Sequence, residues 1–160
     1  MDAGLSIYYQ NVRGLKTKTV EFRAKLRASS FAIILLCETW LRPDVFTTEL
    51  FDDRYIVYRK DRDNPAIGKD DGGGCLIAVR KDLFSRRLVD FELDTDLWVS
   101  VDRVNGGKLF FNVKYIELKS KADVYEKHFS KMVENVMSCD VDDTFMLFGD
   151  YNLADSVTWT

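Results

Sequence analysis

The sequence has little histidine and cysteine, on which several enzyme classes depend. Its 160 residues include one histidine, His128, and three cysteines, Cys37, Cys75 and Cys139. The odd number of cysteines, their wide spacing and the apolar runs around two of them predict buried free thiols in a reducing compartment and argue against a zinc site. His128 lies in the middle of a predicted helix and is assigned a structural role, so a Ser/His/Asp or Cys/His centre would depend on this residue alone.

Long apolar runs, a targeting signal and several familiar motifs are also absent. No stretch approaches the roughly 18 uninterrupted apolar residues of a membrane span, and residues 1–10 lack the basic and apolar regions of a secretory signal. We therefore expect an intracellular protein without a membrane partner. Neither the G-x-S-x-G elbow nor a P-loop occurs, and "GGGCLIAV" is interpreted as the glycine-rich start of a strand.

The charge balance restricts the kind of ligand. A net charge of −3 and a pI near 5.2 argue against a broad, non-specific nucleic-acid surface. Residues 13–27, "RGLKTKTVEFRAKLR", nevertheless form a basic cluster, which is either a local contact of that kind or the solvated face of a helix. The apolar fraction of 46% and the charged fraction of 31% are those of an ordinary globular protein, and 160 residues suit one domain.

The first part of the chain predicts a strand–helix–strand unit. Residues 5–11 resemble a strand, and residues 17–28 have the pattern of an amphipathic helix with Thr17 as its cap. Residues 31–38, "FAIILLCE", are rich in β-branched and apolar side chains, which indicates a central strand buried on both faces. This order predicts a right-handed crossover between two parallel neighbours.

The rest of the chain predicts a second pattern. Strand-like segments follow one another without a helix, which indicates antiparallel meanders, and Asn105-Gly106-Gly107 suits a hairpin turn. A helix over residues 121–138 and a strand over residues 144–149 complete the series. We therefore predict a mixed α/β fold with two sheets stacked face to face and helices outside. The strand-like segments are residues 55–60, 72–80, 86–93, 96–104 and 107–116.

Polar side chains follow three of the apolar strands. Asn11 ends the first strand, Glu38 ends the buried run, and Asp150 and Asn152 follow "FMLFG". If these strands are neighbours in one sheet, the side chains emerge at the same carboxyl edge, where α/β sheets place their ligands. Two carboxylates with amides suit a hard cation that activates a phosphate ester, with one carboxylate orienting or deprotonating the attacking water.

Each of these residues also has an ordinary structural interpretation. Asp150 follows a glycine and could be a turn former or a helix N-cap. Glu38 could be a solvated strand end, and Asn11 could be a turn residue. Tyr115, at the end of "FFNVKY", could be a half-buried strand aromatic with its hydroxyl at the surface.

Seven segments in collinear order resemble the endonuclease/exonuclease/phosphatase superfamily, most closely the apurinic-type endonuclease domain of non-LTR (LINE-type) retrotransposons. "GDYNL" is similar to the G-D-[FY]-N motif of that family, and "ETW" is similar to its metal-binding glutamate block. The resemblance implies a four-layer α/β/β/α sandwich. The segments are "YYQNVRGL", "IILLCETWL", "YIVYRKDR", "GGGCLIAVR", "LWVSV", "VKYIELKSKADVYEKHF" and "FMLFGDYNL".

The resemblance also implies roles for the strand-end residues. Glu38 would be the principal ligand of Mg²⁺, or of Mn²⁺, and Asn11 would help to hold the metal or its waters and would contact the substrate. Tyr115 would contact the scissile phosphate. Asp150 would orient or activate the attacking water, with Asn152 positioning the water or the phosphate. The partner would be the DNA backbone at the nick site.

The sequence departs from the family pattern at several places. Arg13 occurs where many repair-type relatives carry an acidic residue, and "YIELKS" after Tyr115 replaces a proline-containing stretch. No later block with another strand-end aspartate and a Ser-Asp-His motif follows before Thr160. We therefore expect residues 1–160 to be one domain that lacks its C-terminal strands and has little or no activity alone.

Three functions remain open at this point. The first is a Mg²⁺-dependent DNA endonuclease, present as a monomeric domain of a longer retrotransposon polyprotein that acts in the nucleus. The second is a metal-dependent phosphatase of the same superfamily, which the acidic net charge favours. The third is a non-enzymatic remnant that keeps the sandwich without the chemistry.

Overall fold

A computed structural model describes residues 4–62 and 72–153, and its first sheet is built on the predicted strand–helix–strand unit. Strand β1 (Ile7–Asn11) leads through helix α1 (Thr19–Arg27) to β2 (Ile33–Cys37), which pairs with β1 in parallel. Strands β3 (Tyr55–Lys60) and β4 (Cys75–Arg80) extend the sheet by antiparallel pairing, in the order β1-β2-β4-β3. All five residues of β2 are buried, as the continuous apolar run predicts.

The second sheet has the order β5-β6-β7-β8. Strands β5 (Ser85–Arg87), β6 (Asp96–Asp102) and β7 (Lys108–Tyr115) form the predicted antiparallel meander. Helix α2 (Ala122–Met137) then returns the chain so that β8 (Thr144–Asp150) pairs with β7 in parallel. The glycines between β6 and β7 are needed: Gly107 has a φ of 74°, and a Cβ there would lie 2.6 Å from the carbonyl oxygen of Asp142.

The two sheets pack face to face, with a helix on each outer face, which confirms the predicted sandwich. Alternate residues of both sheets form the central core, including Leu35 and Ile77 from one sheet and Phe111 from the other. The opposite side chains of the first sheet pack under α1 around Leu26. Helix α2 covers the outer face of the second sheet. In the described part of the chain, no helix has the length and apolar character needed to cross a membrane.

A buried polar network lies between α2 and the second sheet. The Lys114 ammonium donates to Asp96 Oδ2 over 2.8 Å and to His128 Nδ1 over 2.9 Å, with both charged side chains about 1% exposed. Trp98 and Asn112 also donate to Asp96 Oδ2. Burial, followed by the positive charge of Lys114, lowers the pKa of His128 to about 4. His128 is therefore neutral at pH 7 and accepts the hydrogen bond that orients Lys114.

Two local predictions are wrong. Residues 86–93 are not one strand, because β5 ends at Arg87 and a 3₁₀ turn, Val89–Phe91, follows. Thr17 does not cap α1. It lies inside a 3₁₀ turn, Lys16–Lys18, that precedes the helix, and no side chain caps either element. In both places, a short 3₁₀ turn occupies residues that the local pattern assigns to a longer regular element.

Candidate active site

The predicted site residues lie at the ends of two parallel strand pairs, one from each sheet. Asn11 is paired with Cys37 at the end of β1 and β2, so Glu38 follows directly beside it. Tyr115 is paired with Asp150 at the end of β7 and β8. The assumption that these strands share one sheet is wrong, because β8 belongs to the second sheet. Stacking of the two sheets nevertheless brings their carboxyl ends together.

Asp150 is held by two hydrogen bonds. The Asn11 side chain donates from Nδ2 to Asp150 Oδ2 over 3.0 Å, which joins the two sheets at this point. The backbone N–H of Asn152 donates to Asp150 Oδ1 over 3.1 Å. Each carboxylate oxygen therefore has a donor, and the carboxylate is oriented before any ligand arrives.

Asn152 is held by its side-chain amide and its backbone, and its role at the site stays a prediction. Its Nδ2 donates to the carbonyl of Ile116 over 2.8 Å, so the amide end anchors the loop to the segment after β7. Its backbone has a left-handed φ of 43°, which Asn tolerates better than most residues. The contact between Asn152 and Asp150 is made through the backbone.

Gly149 is required by the close approach of β7 and β8. Its φ is 150°, and a Cβ at this position would lie 2.1 Å from the carbonyl oxygen of Lys114, its partner in the register. The glycine of "GDYN" therefore lets the end of β8 lie against β7 and brings Asp150 beside Tyr115.

Glu38 follows β2 in a strained conformation. Its φ is 55°, a left-handed value that a glutamate adopts at an energetic cost. The N–H of Gly14 donates to the Glu38 carbonyl over 2.9 Å, and Thr39 and Trp40 donate to the carbonyls of Gly74 and Gly73. These bonds hold the turn that follows β2 between the end of β1 and the start of β4. The run of glycines is visible in the sequence, but this role in holding the turn after β2 was not predicted from it.

Tyr115 faces Glu38 across the site. Burial, the negative charge of Glu38 and a hydrogen bond to it raise the pKa of Tyr115 to about 12. The phenol therefore keeps its proton at neutral pH and can donate to a carboxylate or to a phosphate oxygen.

The donor set fits a hard divalent cation. Asn11 Oδ1 is buried and has no hydrogen-bond partner, although the other end of the same amide is bonded to Asp150. An unsatisfied buried oxygen beside two carboxylates is a ready ligand for Mg²⁺, which keeps several waters and takes few protein oxygens. Among the described residues, no three His, Cys, Asp or Glu side chains cluster as a metal site.

The basic segment of residues 13–27 begins two residues after Asn11, and some of its basic side chains bond within the segment or to its neighbours. Lys18 donates to the carbonyls of Val12 and Arg13, and Lys25 pairs with Glu21 over 2.8 Å. Arg13 is exposed, with a left-handed φ of 45°, two residues from Asn11. Among the basic residues of this segment, Arg13 is the one nearest in sequence to Asn11.

A family model identifies the family of the chain, and solved structures show its fold. The profile described as "Endonuclease/Exonuclease/phosphatase family" matches residues 9–159. No curated protein sequence matches the chain. Several solved structures do match. One is the endonuclease domain of TRAS1, a telomere-specific non-LTR retrotransposon, with 19% identity, a TM-score of 0.64, and coverage of 92% of this chain and 59% of that chain.

Two further structures have the same fold. The AP endonuclease LMAP from Leishmania major has 17% identity and a TM-score of 0.65, with coverage of 93% of this chain and 55% of that chain. The 3′ phosphatase NExo from Neisseria, bound to a product DNA hairpin, has 17% identity and a TM-score of 0.55, with coverage of 95% and 60%. At such identities the likeness concerns the fold, and the chain spans little more than half the length of these structures.

Proposed function

Because the chain belongs to the endonuclease/exonuclease/phosphatase family, we propose that it forms part of a metal-dependent endonuclease domain that nicks DNA phosphodiester bonds. One observation carries the proposal: two parallel strand pairs from different sheets end in Asn11, Glu38, Tyr115 and Asp150, and Asn11 bonds to Asp150 across the sheets. The proposed setting is a monomeric domain of a retrotransposon-type protein that acts in the nucleus, as the resemblance implies.

Each residue of the site has its own role in the proposed reaction. A Mg²⁺ ion, or Mn²⁺, held by Glu38 and Asn11 Oδ1 would supply positive charge for the phosphate and the leaving oxygen. Tyr115, protonated at neutral pH, donates a hydrogen bond to a non-bridging phosphate oxygen. Asp150 orients the attacking water and accepts its proton as the new P–O bond forms and the bond to the leaving oxygen breaks. Asn152 acts through Asp150, which its backbone N–H holds.

Local charge supports a polyanionic substrate despite the acidic total. The net charge of −3 belongs to the whole chain, whereas the exposed Arg13 lies two residues from Asn11. DNA binding depends on a few such contacts with phosphates and not on net charge alone.

The proposal is tested by plasmid nicking with the natural polypeptide that carries this sequence. We expect Mg²⁺-dependent conversion of supercoiled DNA to the open circle, slowed on the order of 100-fold or more in Glu38→Ala and in Asp150→Asn. The exposed Asp90 provides the matched control, since Asp90→Asn removes a carboxylate outside the site. Nicking that is unchanged in Glu38→Ala and Asp150→Asn would refute the assignment.

The 160-residue chain spans 59% of the TRAS1 endonuclease domain, and we expect it to nick several orders of magnitude more slowly by itself than a full-length domain. Robust nicking by this chain, abolished in Glu38→Ala, would refute that expectation and still support the endonuclease.

A phosphatase is the second candidate, since the acidic net charge and the likeness to the NExo fold both suit it. Release of phosphate from 3′-phosphorylated DNA or from inositol phosphates, without nicking, would favour it. Absence of turnover and of Mn²⁺ binding in a cooperatively folding chain would indicate the non-enzymatic module instead.

A further inference from the structure

Helix α2 contacts the loop that carries the proposed catalytic carboxylate. The hydroxyl of Tyr125, in the first turn of α2, lies 2.9 Å from the carbonyl oxygen of Tyr151 and 2.7 Å from that of Asn152. A phenol has one proton to donate, so these two carbonyls share it. We propose that Tyr125 is a positioning residue that sets the loop of residues 150–152 and, through that loop, the orientation of Asp150. The inference rests on the proposed function, in which Asp150 handles the attacking water.

Two hydrogen bonds from outside the loop restrain it. Asn152 has a left-handed φ of 43°, which Asn tolerates better than most residues but which is uncommon for a non-glycine residue. The side chain of Asn152 supplies one restraint by donating to the carbonyl of Ile116. Tyr125 supplies the second on the opposite, carbonyl side of the same residue. The two bonds together restrain the side chain and the backbone carbonyl of Asn152.

The restraint is transmitted directly to Asp150. The N–H of Asn152 donates to Asp150 Oδ1, so rotation of the backbone at Asn152 would remove a donor from the carboxylate. The bond from Asn11 to Oδ2 would remain. Without Tyr125 the carboxylate would therefore keep its place at the junction of the sheets but lose its orientation.

The helix is a rigid support for this bond. His128 lies one turn after Tyr125 and bonds to Lys114, which is paired with Asp96 on β6. The next residue, Phe129, stacks on Tyr151 with ring centroids 6.3 Å apart and planes 4° apart. Helix α2 is thus tied to the second sheet by the hydrogen bond between Lys114 and His128, and the side chain of Asn135 also donates to the carbonyl of Phe91 over 2.8 Å.

The test compares two tyrosine hydroxyls of the same kind. Tyr125→Phe removes the proposed restraint and keeps the ring. Tyr55→Phe is the matched control, since the hydroxyl of Tyr55 donates to the carbonyl of Phe31 over 2.6 Å in the outer layer beside α1. Amide hydrogen exchange of Asn152 and steady-state nicking by the natural polypeptide are measured for both variants.

We expect the Asn152 amide to exchange about fivefold to tenfold faster in Tyr125→Phe, the equilibrium effect of one hydrogen bond, and to be unchanged in Tyr55→Phe. The kcat of nicking falls in Tyr125→Phe with KM for DNA unchanged, because the substrate contacts remain. Unchanged exchange at Asn152, or faster exchange with an unchanged kcat, would overturn the inference. Faster exchange and lower kcat in Tyr125→Phe, with full activity in Asp150→Asn, would support the restraint and refute the proposed function.

Discussion

Lowering the pH from about 7.5 to about 5 should destabilise the fold by about 2 kcal/mol through one side chain, His128. The ring is 7% exposed and accepts a hydrogen bond from Lys114 at Nδ1. Burial comes first among the causes that lower its pKa to about 4, and the charge of Lys114 comes second. Lys127 also lowers this pKa, whereas the carboxylates of Asp94 and Asp96 oppose the shift.

The sign and the size of this change in the free energy of unfolding follow from proton linkage. The unfolded chain binds a proton near pH 6.5 and the folded chain only near pH 4, so the unfolded state binds more protons between these values. The contribution of neutral His128 is fully present above about pH 6.5 and is lost as the pH falls toward 4. The loss is about 1.4 kcal/mol per pH unit within this window, which amounts to about 2 kcal/mol at pH 5.

The measurement is the free energy of unfolding in urea, followed by tryptophan fluorescence across this pH range. His128→Asn is the informative variant, because the Asn Oδ1 lies near the position of His Nδ1, accepts from Lys114 and does not titrate. We expect a shallower pH dependence in His128→Asn, whatever its stability at pH 7.5. The carboxylates are the same in both proteins, so their contributions to the pH dependence cancel in the comparison. Because His128 is the one histidine of the chain, the remaining difference belongs to it. An identical pH dependence in both proteins would refute the reasoning.

Three further outcomes follow from the geometry. Lys114→Met leaves the buried carboxylate of Asp96 without its cation and should cost about 3 kcal/mol in urea unfolding, part of which the double variant Lys114→Met/Asp96→Asn recovers; equal stability of the single variant and wild type would refute this. Gly149→Ala places a Cβ 2.1 Å from a backbone oxygen and should lower the free energy of unfolding in urea by about 3 kcal/mol or more. A free energy of unfolding equal to that of wild type would contradict this expectation. Arg13→Ala should weaken DNA binding and reduce the slope of log affinity against log salt by about 1, whereas an unchanged slope would exclude a phosphate contact.

Short-range patterns predicted several elements well. The continuous apolar run around β2 and the strand-like composition of residues 55–60 led to strands close to those observed, and the amphipathic pattern of residues 121–138 agrees with α2. The segment at Val89–Phe91 was mispredicted, because a strand-like composition cannot show that the chain must turn there onto the sandwich.

The structure gives the positions of the predicted site residues, and their roles stay predictions. The strand-end pattern placed Asn11, Glu38 and Asp150 at one sheet edge, and the resemblance added Tyr115. In the structure Asn11 bonds to Asp150, and Tyr115 is paired with Asp150 in the register. The premise of one sheet was wrong, since pairing between strands far apart in the chain is decided by contacts that no local pattern contains.

The amino-acid sequence by itself determined which segments form buried strands and which polar side chains lie at their ends, because burial and period are properties of neighbouring residues. Only the tertiary structure decided that β8 joins the second sheet, that Glu38 adopts a left-handed backbone, and that Lys114 pairs with Asp96. It also decided that the Tyr125 hydroxyl holds the loop after Asp150. These features depend on close approach between distant parts of the chain, where one oxygen or one Cβ is accepted or excluded within a few tenths of an ångström.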